Sequence, residues 1–153
     1  MGYNPNFRGN TANVTSRSSR SMSTSYQNGS GVTLAQCAPV AVNSLGQLIK
    51  IDVSNQTHIE KFAGVTGSIL ANAATGIVFD GGRVEDVDLS AFAVGDPIWV
   101  AKDGFLTNVR PAIGVGGFVA GDFVIFIGVV VKNEFNPLLK DLKLAIDTKI
   151  GSL

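Results

Sequence analysis

Apolar and polar side chains alternate along much of the chain after residue 31, in short stretches rather than at helical spacing. Period-two alternation and runs of β-branched residues predict strands over residues 39–42, 48–53, 62–70, 76–79, 97–101, 105–108, 113–119 and 123–132. Between them lie residues that tolerate positive φ or preset a turn: Asn43-Ser44-Leu45-Gly46, Asp80-Gly81-Gly82, Gly95-Asp96-Pro97, Asp103-Gly104 and Ala120-Gly121-Asp122. Residues 97–107 read as a hairpin closed by a two-residue Asp103-Gly104 turn of the I′ kind. A short helix fits residues 54–61 or 89–94. In the tail, Leu142, Leu144 and Ile146 alternate with Lys143, Ala145 and Asp147, as in a strand. Leu138, Leu139, Leu142 and Ile146 would equally form one face of a helix.

Short strands turning every eight to twelve residues predict an all-β fold, either a small curved β-barrel or a sandwich. Eighteen glycines favour curvature, several of them inside predicted strands, among them Gly64, Gly67, Gly114, Gly116, Gly117 and Gly128. The expected organisation is an extended N-terminal arm over residues 1–30, a β domain over 31–135 and a short C-terminal extension over 136–153.

Composition changes this picture mainly at the N-terminus. Residues 1–30 are rich in Ser, Asn and Gly, and Arg8, Arg17 and Arg20 are their only charged side chains. A segment this polar buries too little apolar surface to offset its ordering entropy, so it is expected to order only against a partner. Residues 1–51 carry a charge of +4 and no acid, and the neutral total leaves −4 for the remainder. A basic arm seeking an acidic surface is the implication.

Other features narrow the chemistry. A lone cysteine, Cys37, permits no intrachain disulfide. The N-terminus lacks the apolar stretch of a signal peptide, and the longest apolar run, residues 123–131, is about half a membrane-spanning helix. A soluble protein made in the cytosol is expected, and the sequons at Asn13 and Asn55 carry no meaning in that setting. His58 lies between Asp52 and Glu60 with no nucleophile motif nearby, and reads as a surface histidine. Cys37 reads as buried filler. Asp80, Glu85, Asp86 and Asp88 lack the ligand spacing of an EF-hand and read as a solvated turn. Gly114-Val-Gly-Gly117 lacks the Lys-Ser/Thr of a phosphate loop. Trp99 reads as core or subunit interface, since the basic residues of a base-stacking platform are missing around it. No enzyme activity, cofactor or metal is expected.

The stretch from Cys37 to Val131 resembles the phage capsid decoration (cement) proteins and the base domains of phage head fibres. The residues carrying the resemblance are Gly46-Gln-Leu-Ile-Lys50, Phe62-Ala-Gly-Val65, the 76–84 segment, Val94-Gly-Asp-Pro-Ile-Trp-Val-Ala-Lys-Asp-Gly-Phe-Leu-Thr107 and Ile127-Gly-Val129. The order is similar to that family's "G-x-hydrophobic" hairpin, "F-x-G-hydrophobic" strand, and "G-D-x-hydrophobic-W/Y-V" leading to "G-hydrophobic-L-T". The resemblance implies a small β-barrel, commonly a homotrimer, on the outside of an icosahedral shell, in a virion assembled in the bacterial cytoplasm. The long arm and the tail after Asn136 depart from the family's shortest members.

On that reading the partner is a major capsid protein or another virion structural protein, with no membrane. Nucleic acid is not expected, because three arginines give only weak, salt-sensitive binding. The arm residues expected to bind are Tyr3, Phe7, Met22 and Tyr26 as apolar anchors and Arg8, Arg17 and Arg20 as forked donors to carboxylates. Trp99, Phe123, Ile125 and Ile127 are expected to form the subunit interface. Three arms acting at once would raise affinity through effective concentration. A tail or tail-fibre attachment module is the alternative, followed by an arm-mediated nucleic-acid binder and an enzyme or sugar-binding barrel.

Overall fold

In a computed structural model the chain is described over residues 21–153. The elements are β1 (Ser21–Gln27), β2 (Pro39–Val42), β3 (Leu48–Lys50), α1 (Gln56–Glu60), β4 (Phe62–Thr66), β5 (Thr75–Val87), β6 (Pro97–Val100), β7 (Leu106–Thr107), β8 (Phe126–Lys132) and β9 (Lys140–Asp147). All strand pairs are antiparallel, in the order β3-β2-β4-β5-β9-β8-β6-β7, with β1 added to β5. The fold is therefore all-β, as the alternation predicts. Among the described residues β3 and β7 end the path unjoined, so the sheet is open and not a closed barrel.

The long strand β5 organises the molecule. Its first part pairs with β1 from Thr75 to Gly82 and with β4 at Val78 and Phe79, while its last part pairs with β9 from Arg83 to Val87. Two irregularities let one strand serve both regions. Met22 and Ser23 pair with Gly81 and Phe79, skipping Asp80, and the register slips again between Val84 and Val87, where Asp86 has φ +58°. Each extra residue reverses which face the following side chains occupy. Val84 and Val87 thus both reach the interior across an odd spacing. The same slips explain why alternation predicts only residues 76–79 here and a turn at Asp80-Gly81-Gly82.

Burial follows the pleat elsewhere. On β2, Ala41 faces the main core with Val65, Ile98, Ile125, Ile127, Val130 and Leu142, while its neighbour Val40 faces a second, smaller cluster with Leu34, Leu48, Leu70 and Val78. That second cluster would be open to water without residues 26–38 lying over it. Asn28, 1% exposed, fastens this cover. Its Nδ2 donates to the carbonyls of Val32 (2.8 Å) and Leu70 (2.9 Å), and its Oδ1 accepts from Ser30 N–H (2.9 Å) and Ser30 Oγ (2.6 Å). Residues 21–30, assigned to the arm from composition, are thus part of the folded unit: backbone pairing along β5 orders a segment whose side chains alone would not.

The other departures have similarly plain causes. The tail is a strand, but no appendage: β9 lies between β5 and β8, with Leu142 and Leu144 buried in the main core. Leu153 closes the chain by donating to Asp122 O at 2.8 Å. Residues 113–119 are turns rather than a strand, with Gly114, Gly116 and Gly117 at φ of +82°, +58° and +85°. The β6–β7 hairpin has a three-residue loop, Lys102-Asp103-Gly104, since Ala101 N–H donates to Phe105 O at 2.7 Å and Gly104 N–H to Ala101 O at 2.9 Å. Only Gly104 has positive φ, so the turn is of type I with a following glycine bulge, not I′. The helix forms at the first of its two expected places, α1, capped by Asn55 Oδ1 accepting from Thr57 N–H at 3.0 Å. Residues 89–94 form a turn, closed by Phe92 N–H donating to Leu89 O at 2.9 Å.

Candidate interaction surface

The groups with catalytic potential are engaged locally. His58 Nδ1 accepts Asp52 N–H at 3.1 Å. The Asp52 carboxylate turns instead to Ser54, accepting from Oγ at 2.6 Å and N–H at 2.9 Å, and these bonds hold its pKa below the usual carboxylate value. The base and carboxylate that adjoin in sequence therefore make no dyad. Cys37 is buried, and burial pushes its thiol pKa up to about 12, so thiolate is scarce at neutral pH. Among the described residues no three His, Cys, Asp or Glu side chains gather as a metal site. No helix among them is long and apolar enough to cross a membrane.

The residues expected to bind partners are scattered. Tyr3, Phe7, Arg8, Arg17 and Arg20 lie outside the described residues. Met22 is exposed on β1, whereas Tyr26 packs against the second cluster of its own subunit and is not a projecting anchor. The interface assignment of Ile125 and Ile127 is corrected: both are fully buried in the main core, Ile127 on β8 and Ile125 just ahead of it, in the cluster that holds Val65, Ile98, Val130 and Leu142. Phe123 also packs on that core, half-buried. Of the four, Trp99 stands apart, half-buried against Phe126 with ring centroids 4.8 Å apart and the Arg110 guanidinium 5.7 Å from its ring. Its indole N–H is buried without a hydrogen-bond partner among the described residues.

Apart from Met22 and Ile77 on strands, the exposed large apolar side chains lie instead on loops. Phe135 and Leu138, between β8 and β9, are 93% and 86% exposed, and Ile113, Val115 and Val119 project from the glycine-rich turns between β7 and β8. Apolar side chains presented this openly are candidates for burial against another chain. The glycine turns raise them because positive φ at three positions prevents the segment from lying down as a strand.

Beside Phe135 runs an open groove of about 800 Å³, bordered by Phe79, Val84, Glu85, Asp86 and Glu134. A polar network shapes one side. Arg83 Nε pairs with Asp141 Oδ2 at 2.7 Å, and Arg83 Nη2 donates to Lys132 O at 2.8 Å. Asn133 Nδ2 donates to Asp86 Oδ1 at 2.7 Å and to Asp141 Oδ1 at 2.8 Å, which also accepts Asp86 N–H at 3.1 Å. These residues hold the β5 bulge at Asp86 against β9. None is flagged by local sequence, because Arg83 and Asp141 meet only through long-range pairing. A second ion pair among the described residues, Lys102 Nζ to Asp122 Oδ1 at 2.6 Å with the carboxylate buried and the lysine partly exposed, ties the β6–β7 turn to the C-terminal closure. Comparisons with protein-family models, with curated proteins and with solved structures find no match to this chain.

Proposed function

We propose that this chain is a structural virion protein of a tailed bacteriophage, a capsid decoration protein or head-fibre base that attaches to the outside of the shell through its N-terminal arm. The observation that carries the reading is the way the arm joins the domain. Residues 1–20, with three arginines and no acid, lead straight into β1, all seven of whose residues pair along β5 with one bulge at Met22–Ser23. A load on such an arm pulls along the strand and is shared by the ladder, instead of peeling one bond at a time. Together with the sequence resemblance over residues 37–131, this suits a protein whose task is to hold on.

Self-association follows from the exposed loops rather than from β8. In a homotrimer Phe135, Leu138, Ile113 and neighbouring apolar side chains are buried between copies or against the shell, and three arms bind together with the avidity of linked sites. The test compares the full chain with residues 21–153, a cut that spares β1, for co-sedimentation with purified shells lacking this protein. The full chain saturates the shells and elutes as a trimer of about 48 kDa, three copies of the 16.0 kDa chain. The truncated chain stays folded and remains in the supernatant. Equal binding by both, or a monomer that binds no virion part, defeats the proposal, and binding to tails alone moves it to the tail-attachment reading.

A further inference from the structure

We propose that Asn28-Gly29 is a self-modification site held shut by the fold: its deamidation is blocked while residues 26–38 cover the second cluster, and once it has occurred the cover no longer closes. Asn28 is the only asparagine in the chain that is followed by glycine. Glycine has no side chain to crowd its backbone nitrogen, so this pair is the most open of all to attack on the asparagine amide, a lability that asparagine shows generally. The reaction needs only water and base. Gly29 N loses its proton and bonds to Asn28 Cγ, the Cγ–Nδ2 bond breaks and ammonia leaves, and water then opens the cyclic imide at either carbonyl to give aspartate or isoaspartate. Packing explains why the pair stands here. Gly29 is not among the glycines with positive φ, but a Cβ on it would lie 2.7 Å from Gln47 Cβ, so the close approach to the start of β3 demands glycine. Asn28 is demanded by the four side-chain bonds that fasten the cover.

The same contacts shield the reacting atoms. Gly29 N–H donates to Leu48 O at 2.9 Å, which holds the proton that must leave. Nδ2, the leaving group, is bound to the Val32 and Leu70 carbonyls, and the backbone of residue 28 is tied to Ala73 and Ala74. With Asn28 1% exposed, neither base nor water reaches Cγ in the closed domain, so the reaction proceeds only through opening of the cover. The product does not fit the closed state. A carboxylate at 28 turns an oxygen toward the two carbonyls to which Nδ2 donated, and acceptor facing acceptor in a buried site leaves a charge without its partner. Isoaspartate in addition lengthens the backbone by one carbon beside the Asn28–Leu48 bridge. The joint between β1 and the domain is therefore a one-way latch: an opening that lasts long enough to react frees β1 and leaves Leu34, Leu70 and Val78 uncovered. This property is independent of what the arm binds.

Mass spectrometry of the tryptic peptide covering residues 21–50, fragmented to place the change at residue 28, follows the conversion in the full chain held at mildly alkaline pH, either folded or unfolded in urea. Conversion in the folded chain is expected to be at least about tenfold slower than in urea, and the Gly29 amide to show hydrogen-exchange protection of matching size, because one opening serves both. Leu70→Ala loosens the cover and leaves every partner of Asn28 in place, so it brings the folded rate toward the urea rate, with circular dichroism confirming the fold. The comparison with Gly29 protection in the unaltered chain decides without any variant. Converted protein, separated by ion exchange on its added negative charge, loses protection at the β1 amides. Equal rates in the folded and unfolded chains overturn the inference. Slow conversion with an unprotected Gly29 amide overturns it as well, since the block then lies elsewhere than in the cover. Converted protein whose β1 amides stay protected does the same, because the latch has closed again over the new carboxylate.

Discussion

Replacing Asn28 by Ala tests whether residues 21–30 belong to the folded domain. The backbone bonds of residue 28, to Ala74 O and from Ala73 N–H, survive the change. What is lost is the side chain's donation to the Val32 and Leu70 carbonyls and its acceptance from Ser30. Leu70 O retains Leu34 N–H, and Val32 O retains Ser30 Oγ at 3.0 Å, so the carbonyls are weakened rather than stranded. Ser30 N–H is left without its acceptor. At about 1 kcal/mol for each net bond, with a surcharge for the stranded donor, the cost is about 2–3 kcal/mol. It should appear in global unfolding, because releasing β1 and the 28–38 cover exposes Leu34, Leu70 and Val78 together. Urea denaturation followed by the single tryptophan, Trp99, is the assay. The midpoint falls with an unchanged m-value, and the β1 amides lose hydrogen-exchange protection. Asn28→Asp keeps the acceptor but loses both donors and is at least as damaging at neutral pH. A change below about 0.5 kcal/mol in the Ala variant, with the β1 amides already exchanging freely in the parent, would refute the argument and return residues 21–30 to the arm.

Two further substitutions probe the turn and closure on which the β6–β7 end depends. Gly104→Val forces a β-branched residue to φ +83° and puts its Cβ 2.8 Å from Ile51 O, so a loss of about 3 kcal/mol is expected in chemical denaturation. A variant melting with the parent would mean that the turn is built differently. Lys102→Met leaves the Asp122 carboxylate buried without its cation and costs about 2 kcal/mol at pH 7, below the value for a fully enclosed pair because Lys102 keeps some contact with water. Hydrogen bonds from Lys102 and from Val119 N–H hold the Asp122 pKa below the usual carboxylate value. A group depressed in this way stabilises the fold above its unfolded pKa and loses that contribution as pH falls through its folded pKa. The difference between variant and parent should therefore be full at neutral pH and shrink below about pH 4. A difference that stays constant from pH 7 to pH 3 would show that the ion pair is not its source.

What the sequence by itself determined is the local part of this protein. The all-β class, the bounds of β2 and the need for glycine at position 104 depend on alternation and turn chemistry among near neighbours, and such signals are complete within a few residues; of the two places that suited a short helix, only the structure chose the one at Asn55. The burial of Cys37 was legible in the same way, whereas His58, read as a surface histidine, is half-buried. Only the tertiary structure decided which strands are interior and which side chains remain available. The polar segment Ser21–Gln27 is a strand because β5 supplies its backbone partners, and β9 is central because β5 and β8 leave a gap that its Leu142 and Leu144 fill. Apolar strength in a sequence records how much a segment gains by burial and not what buries it. For this reason the run containing Ile125 and Ile127 belongs to the core of its own subunit, while the surface open to a partner falls to Phe135, Leu138 and the glycine-raised valines and isoleucine that no periodicity marks.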